Sequence, residues 1–79
     1  MSHVVTLLGK PGCHLCDEAR EAIARITGSL GVPWSERDVS ADPLDFAEYG
    51  DRIPVILIDG REHGYWRVEE DRFRTALMG

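Results

Sequence analysis

Val55-Ile56-Leu57-Ile58 is an unbroken apolar run held between Pro54 and Asp59-Gly60. A run this short, rich in branched aliphatics and closed by turn residues, reads as a strand. Asp-Gly leading into a second strand-like stretch is the strongest short hairpin signal. We therefore expect antiparallel strands over Val55 to Ile58 and Glu62 to Trp66. At 79 residues the chain has room for one well-packed core, so a single domain is expected.

The remaining elements follow from periodicity. Val4 to Leu8 is a second apolar run, ended by Gly9-Lys10-Pro11-Gly12, and predicts a buried strand followed by a sharp turn. Leu15, Ala19, Ala22, Ile23, Ile26 and Leu30 recur at steps of three and four, which puts them on one face of a helix ending at Gly31. Asp17, Glu18 and Glu21 lie toward the start of that helix with Arg20 among them and Arg25 beyond, so the acids on the whole come first, as the helix dipole favours. Pro33 to Val39 alternates loosely and predicts a half-buried strand, with Trp34, Glu36 and Asp38 on one face. Ser40-Ala41-Asp42-Pro43 supplies a cap and an early proline for a short helix with Leu44, Ala47 and Tyr49 inward, ending at Gly50. Val68, Phe73, Ala76 and Leu77 mark a last helix from Val68 to Met78. The order is βαβ and a short helix, then ββα, an α/β pattern with a parallel pair and a hairpin.

Charge narrows the function classes. Fourteen acidic residues against nine basic ones give a formal net charge of −5, with no basic stripe to follow a phosphate backbone, so no nucleic-acid partner is expected. No apolar run approaches the roughly 20 residues that span a bilayer, and no membrane partner is expected. Met1-Ser2-His3-Val4 lacks the positive start and the small-residue cleavage site of a secretory signal, which makes the cytoplasm the expected location.

Both cysteines lie in Cys13-His14-Leu15-Cys16, directly after the first strand and at the start of the first helix. At that place the first cysteine sits near the cap and the second one turn inside, so the sulfurs approach each other while unpaired backbone N–H groups point at the first. Those donors and the positive helix end favour a thiolate on Cys13, the expected nucleophile. Cys16 would then attack the mixed disulfide and release the reduced target. Lys10 and His14 flank the nucleophile with one permanent and one conditional positive charge, whereas Asp17 and Glu18 oppose it. Two other uses of the pair stand beside this one. The cysteines could be inert core residues. They could also be half of a zinc site, although His3, His14 and His63 stand at no recognised ligand spacing, and no metal ligands are assigned. Asp17 in place of a histidine after Cys16 excludes covalent haem attachment.

Several stretches in this order carry a family resemblance. They are Gly9-Lys10-Pro11-Gly12-Cys13-His14-Leu15-Cys16, Gly31-Val32-Pro33, Ile53-Pro54 ahead of the Val55 strand, and Ile58-Asp59-Gly60. Over essentially its whole length the chain resembles the glutaredoxin family of the thioredoxin-like fold, with Lys10 at the lysine of the Lys-Pro-x-Cys-x-x-Cys loop. The resemblance implies a four-stranded mixed sheet flanked by three helices. It implies a thiol–disulfide oxidoreductase whose Pro54 is cis and set against the cysteines, with the backbone of Ile53 offered to a substrate strand. Gly64, Tyr65 and Arg67 fall on the stretch that binds substrate in the family. There the family has Gly-Gly and then an acid that meets the amino group of glutathione, where this chain has Gly64-Tyr65-Trp66-Arg67. Arg67 would repel that cation and Tyr65 fills space that glycine leaves open.

No tightly bound cofactor is expected. The expected partners are a disulfide-bearing protein or a small thiol, with glutathione or a reductase as electron donor; Arg52 and Arg67 could offer their forks to a carboxylate. Trp34 and Trp66 are expected to pack as core or edge aromatics, with Tyr65 and Trp66 as a second choice for a peptide platform. The rival function is a binding module of the same fold that holds zinc or a shared iron–sulfur cluster through Cys13 and Cys16, or a redox-sensing adaptor with one dedicated partner.

Overall fold

A computed structural model describes residues 2–79; Met1, part of the N-terminal stretch read above, lies outside them. The elements are β1 (Val5–Gly9), α1 (His14–Leu30), β2 (Trp34–Asp38), α2 (Pro43–Tyr49), β3 (Val55–Ile58), β4 (Arg61–Tyr65) and α3 (Glu70–Met78), with a 3-10 turn over Val39–Ala41. The strands form one mixed sheet in the order β2-β1-β3-β4, with β1 parallel to β2 and antiparallel to β3. The expected architecture of four strands and three helices is the observed one.

β1 and β3 are the two inner strands, which is why their sequences are apolar without alternation. Val5, Leu7 and Ile56 point to the face covered by α1 and α3, where they meet Ile23, Ile26, Phe73 and Leu77 in the larger core cluster. Leu8, Val55 and Leu57 point to the other face, where Val39 of the 3-10 turn joins them and Tyr49 and Ile53 pack alongside.

Three expectations shift by their surroundings. The strand expected over Pro33 to Val39 is not half-buried: β2 is an edge strand with only Trp34 partly covered, and the one buried residue of the stretch, Val39, falls in the turn that follows. The inner face expected for α2 does not form either. Leu44 is 81% exposed, Ala47 faces solvent, and only Tyr49 reaches the core, because seven residues are too few to lie across the sheet. On α1 the buried stripe begins at Cys16 in place of Leu15, which stays 47% exposed at the rim.

The hairpin closes as its Asp-Gly demands. Ile58 pairs with Arg61, and Asp59 and Gly60 take φ of 55° and 82°, the left-handed pair of a type I′ turn. β4 carries one extra residue, His63, between the Ile56–Gly64 and Leu57–Glu62 pairs, and the ring of His63 lies 5.9 Å from that of Phe73.

Asp59 also ties the chain ends to the turn. It accepts from Val4 N–H at 2.9 Å and from His3 Nδ1 at 2.6 Å, while His3 Nε2 donates to the Gly79 carbonyl at 3.1 Å. Both ring nitrogens donate only in the imidazolium form. The Asp59 bond raises the His3 pKa above its usual 6.5, and the same bond lowers Asp59 below 3.8. The His3 contribution is therefore complete below about pH 6.5 and lost as pH rises through its higher folded value. The Asp59 contribution is present above about pH 4 and lost as pH falls through its lower folded value. His63 titrates in the opposite sense to His3, since burial lowers its pKa, so the informative quantity is a difference. The thermal midpoint of wild type minus that of His3→Asn should be largest between about pH 4 and 6.5 and shrink by pH 8. A difference that stays flat across this range would exclude the clasp.

Candidate active site

Cys13 occupies the N-cap of α1 with φ −96° and ψ 113°, an extended backbone that turns its side chain back over the first helical turn. Its Sγ accepts the backbone N–H of Cys16 at 3.2 Å, satisfying one of the donors that a helix start leaves open. The two thiols are unbonded and unlike: Cys13 is half-buried and Cys16 fully buried. Burial, followed by the hydrogen bond with Cys13, pushes the Cys16 thiol up to about 11, against a smaller downward pull from the Lys10 backbone N–H. Cys16 is thus a thiol at neutral pH, while Cys13 sits where the helix dipole favours negative charge. Lys10 and His14 are both exposed beside this turn.

Across the helix start lies the loop before β3. The Ile53–Pro54 peptide is cis, Pro54 is buried, and its carbonyl accepts from Trp66 N–H at 2.8 Å. Among the described residues the N–H and C=O of Ile53 bond to no other backbone group. Arg52 does not offer its fork outward. It pairs with Glu62 at 3.2 Å, stacks 5.8 Å above the Tyr49 ring, and buries its Nε without a partner, so its charge is spent within the chain.

The third wall is the end of β4. Gly64 is half-buried, Tyr65 is 46% exposed and Trp66 55% exposed, with the two aromatic rings edge-on at 5.1 Å. Trp66 is therefore neither core nor edge packing. It leaves the strand one residue earlier than expected because its φ is 71°, and the Arg67 N–H to Tyr65 carbonyl bond at 2.9 Å closes a tight γ-turn around it. Leu15, Ile53, Trp66 and Arg67 line one groove together with Glu18. The structure thus brings Leu15 of the cysteine turn, Ile53 of the loop before β3, and Trp66 and Arg67 after β4 into one groove, and leaves Arg52 out. Among the described residues, no group of three or more His, Cys, Asp or Glu side chains is placed to hold a metal ion, so zinc here would need donors from elsewhere.

The model of the glutaredoxin-like domain (DUF836) matches residues 4–78. The chain belongs to this glutaredoxin-like family. Uncharacterised proteins of Mycobacterium tuberculosis and Mycobacterium bovis are each 43% identical to it over 78 residues, covering 92% of this chain and 80% of theirs. A solved structure of a Xanthomonas campestris structural-genomics target, XcR50, is 32% identical with a TM-score of 0.77, covering 94% of this chain and 95% of that one. Fasciola hepatica thioredoxin, 17% identical, shares the fold with a TM-score of 0.66 over 98% of this chain and 79% of its own. The thioredoxin-like fold, carrying Cys13 and Cys16, supports a thiol-redox function in general. Among the described residues no helix is long and apolar enough to cross a membrane.

In this glutaredoxin-like chain one site residue escapes sequence reasoning altogether. Gly9, the last residue of β1, lies under Cys16: a Cβ there would fall 3.0 Å from the Cys16 sulfur and 3.3 Å from its Cβ. Only a strand-closing glycine ahead of the cysteine turn hints at this, and nothing in the spacing says which side chain comes down on it. Gly9→Ala should cost about 1–3 kcal/mol in stability through overpacking and displace the redox midpoint by moving Cys16. Gly28→Ala, where nothing lies within 4 Å, is the control and should leave the midpoint alone. Equal midpoints for wild type and Gly9→Ala would show that the close approach has no bearing on the thiols.

Proposed function

We propose that this protein is a thiol–disulfide oxidoreductase that reduces disulfide or glutathionylated substrates with Cys13 and Cys16. The observation that carries the reading is the asymmetry of the pair: a half-buried sulfur at the helix N-cap accepting an N–H bond, and a buried thiol held at about 11 one turn inside. The Cys13 thiolate attacks one sulfur of a substrate disulfide, forms a mixed disulfide and expels the other sulfur as a thiolate, which takes up a proton. Cys16 then loses its proton and attacks the Cys13 sulfur, closing the Cys13–Cys16 disulfide and releasing the second substrate thiol. Two electrons pass to substrate, and an external thiol or dithiol, glutathione or a reductase, returns them in the reverse exchange. The open backbone of Ile53 supports docking of an extended substrate strand. Such a cycle suits the reducing cytoplasm expected from the sequence.

The test is an equilibrium titration across glutathione redox buffers read by intact mass. A reversible loss of two protons, with a midpoint between about −200 and −270 mV, is the expected result. Cysteines that stay reduced throughout, or that purify blocked by stoichiometric zinc or iron, would overturn it in favour of a binding module.

A further inference from the structure

Arg20, Arg25, Arg37 and Arg52 all have carboxylate partners within the chain. Arg61, Arg67, Arg72 and Arg74 have none among the described residues, in a protein where acids outnumber bases by fourteen to nine, and two of these four, Arg67 and Arg72, lie together. Both line a single cleft of about 360 Å³ between β4 and α3. Ile56 and Phe73 make its apolar floor, and Tyr65 and Trp66 a wall. The Arg72 guanidinium lies beside Gly64, 3.5 Å from where a Cβ of that residue would stand, an ordinary contact distance. The other charged or titratable members are Glu69 and His63. Burial and then Arg72 lower the His63 pKa, which leaves its ring neutral at pH 7. Two guanidiniums against one carboxylate leave the cleft with one positive charge to satisfy.

The cleft shares Trp66 and Arg67 with the groove that runs past Leu15 and Ile53 at the cysteine turn. A second groove leaves the same corner along α1, where Arg67 meets Asp17, Glu18, Glu21 and Glu70, of which Asp17, Glu21 and Glu70 are already paired with Arg20 or Arg25. The second guanidinium that a carboxylate at this corner could meet, Arg72, lines the cleft between β4 and α3 and neither groove.

We propose that the Arg67–Arg72 cleft is a specificity site that receives an Asp or Glu carboxylate from an acidic peptide segment next to the target cysteine of a protein disulfide. This rests on the thiol-exchange reading for its place in the reaction. The planar forks of Arg67 and Arg72 match a carboxylate, Tyr65 and Trp66 give its hydrocarbon stem a surface, and Glu69 keeps the local charge right for one carboxylate. It is a charge preference opposite to the ammonium site that the glutaredoxin resemblance would imply at Arg67.

Two arms test it. In the first, neutral cysteine-free peptides carrying one Glu, and matched peptides carrying Gln, are titrated into the reduced protein by calorimetry, with the Glu placed at each position from one to four residues either side of a Ser in the cysteine's place. At the best position the Glu peptide should bind about tenfold tighter than its Gln twin, and the preference should vanish in Arg67→Gln/Arg72→Gln. Equal affinity for Glu and Gln peptides at every position, or a preference that survives the double substitution, overturns the proposal. In the second arm the same series carries the cysteine as a mixed disulfide with 2-mercaptoethanol, a neutral leaving thiol, and exchange rates are compared. The same Glu-over-Gln preference in kcat/KM, lost in the double substitution, supports the role in substrate choice, and equal kcat/KM for Glu and Gln peptides in the wild type overturns it. Absence of exchange with every peptide while the binding preference persists would overturn the oxidoreductase reading alone and leave the carboxylate site standing.

Discussion

Cys13→Ser should abolish disulfide exchange, and Cys16→Ser should convert the protein into a trap that accumulates one substrate molecule per chain. The two outcomes differ because the two sulfurs differ. Cys13 is half-buried at the helix N-cap, within reach of a substrate disulfide and bonded to the Cys16 N–H at 3.2 Å. A serine hydroxyl in its place neither ionises near neutral pH nor forms a disulfide, so the rate should fall by on the order of 10³-fold or more. Cys16 has no exposed surface and its thiol is pushed up to about 11, so it cannot open a substrate disulfide itself. It needs only to attack a sulfur already joined to Cys13, and in that mixed disulfide the thiolate that repelled its ionisation is gone. Without Cys16 the adduct on Cys13 waits for an external thiol, and intact mass should show it directly. Adduct on Cys13→Ser, or undiminished turnover of Cys16→Ser on protein disulfides without adduct, would reverse or remove the assigned order.

What the sequence makes legible follows the range of the interaction involved. The hairpin rests on two adjacent residues whose φ the turn itself dictates, and Asp59-Gly60 falls where the pattern puts it. The inner strands are equally plain, since a strand covered on both faces must be apolar at every position. Phase and coverage are less plain. Leu15 and Cys16 both fit the start of an apolar helical stripe, and it is Cys16 that turns inward, onto the open face of Gly9. Leu44 and Ala47 have helical spacing, yet a helix of seven residues leaves them in solvent. Trp66 reads as packing because aromatics usually pack, and its exposure depends on a φ of 71° that a non-glycine residue takes only when its surroundings impose it. That Leu15, Ile53 and Arg67, from three distant stretches, share one groove is hidden from spacing and legible only through resemblance. The pairing of Arg52 with Glu62, which separates it from Arg67, is legible in neither.

Phe73→Ala should be the most damaging single change away from the cysteines. Phe73 has no exposed surface, packs in the larger core cluster with Ile23 and Ile56, and holds α3 against the sheet. Its ring also backs His63 on β4 and floors the Arg67–Arg72 cleft. Truncation removes most of a phenyl ring's burial and leaves a cavity, a loss of about 3–5 kcal/mol. A chain of this length holds roughly 4–12 kcal/mol in total at about 0.05–0.15 kcal/mol per residue, so the variant should lose from about a quarter of its stability to all of it. Phe73→Leu, which keeps most of the volume, should lose only about 1–1.5 kcal/mol. Urea denaturation separates the cases: the midpoint should fall steeply for alanine and modestly for leucine while the slope stays that of wild type. Because cleft and core share this ring, the leucine variant should fold and still bind the acidic peptide less tightly than wild type. A Phe73→Ala midpoint within experimental error of wild type would mean that α3 is not held by this contact, and the cleft that Phe73 floors would lose its rigid base.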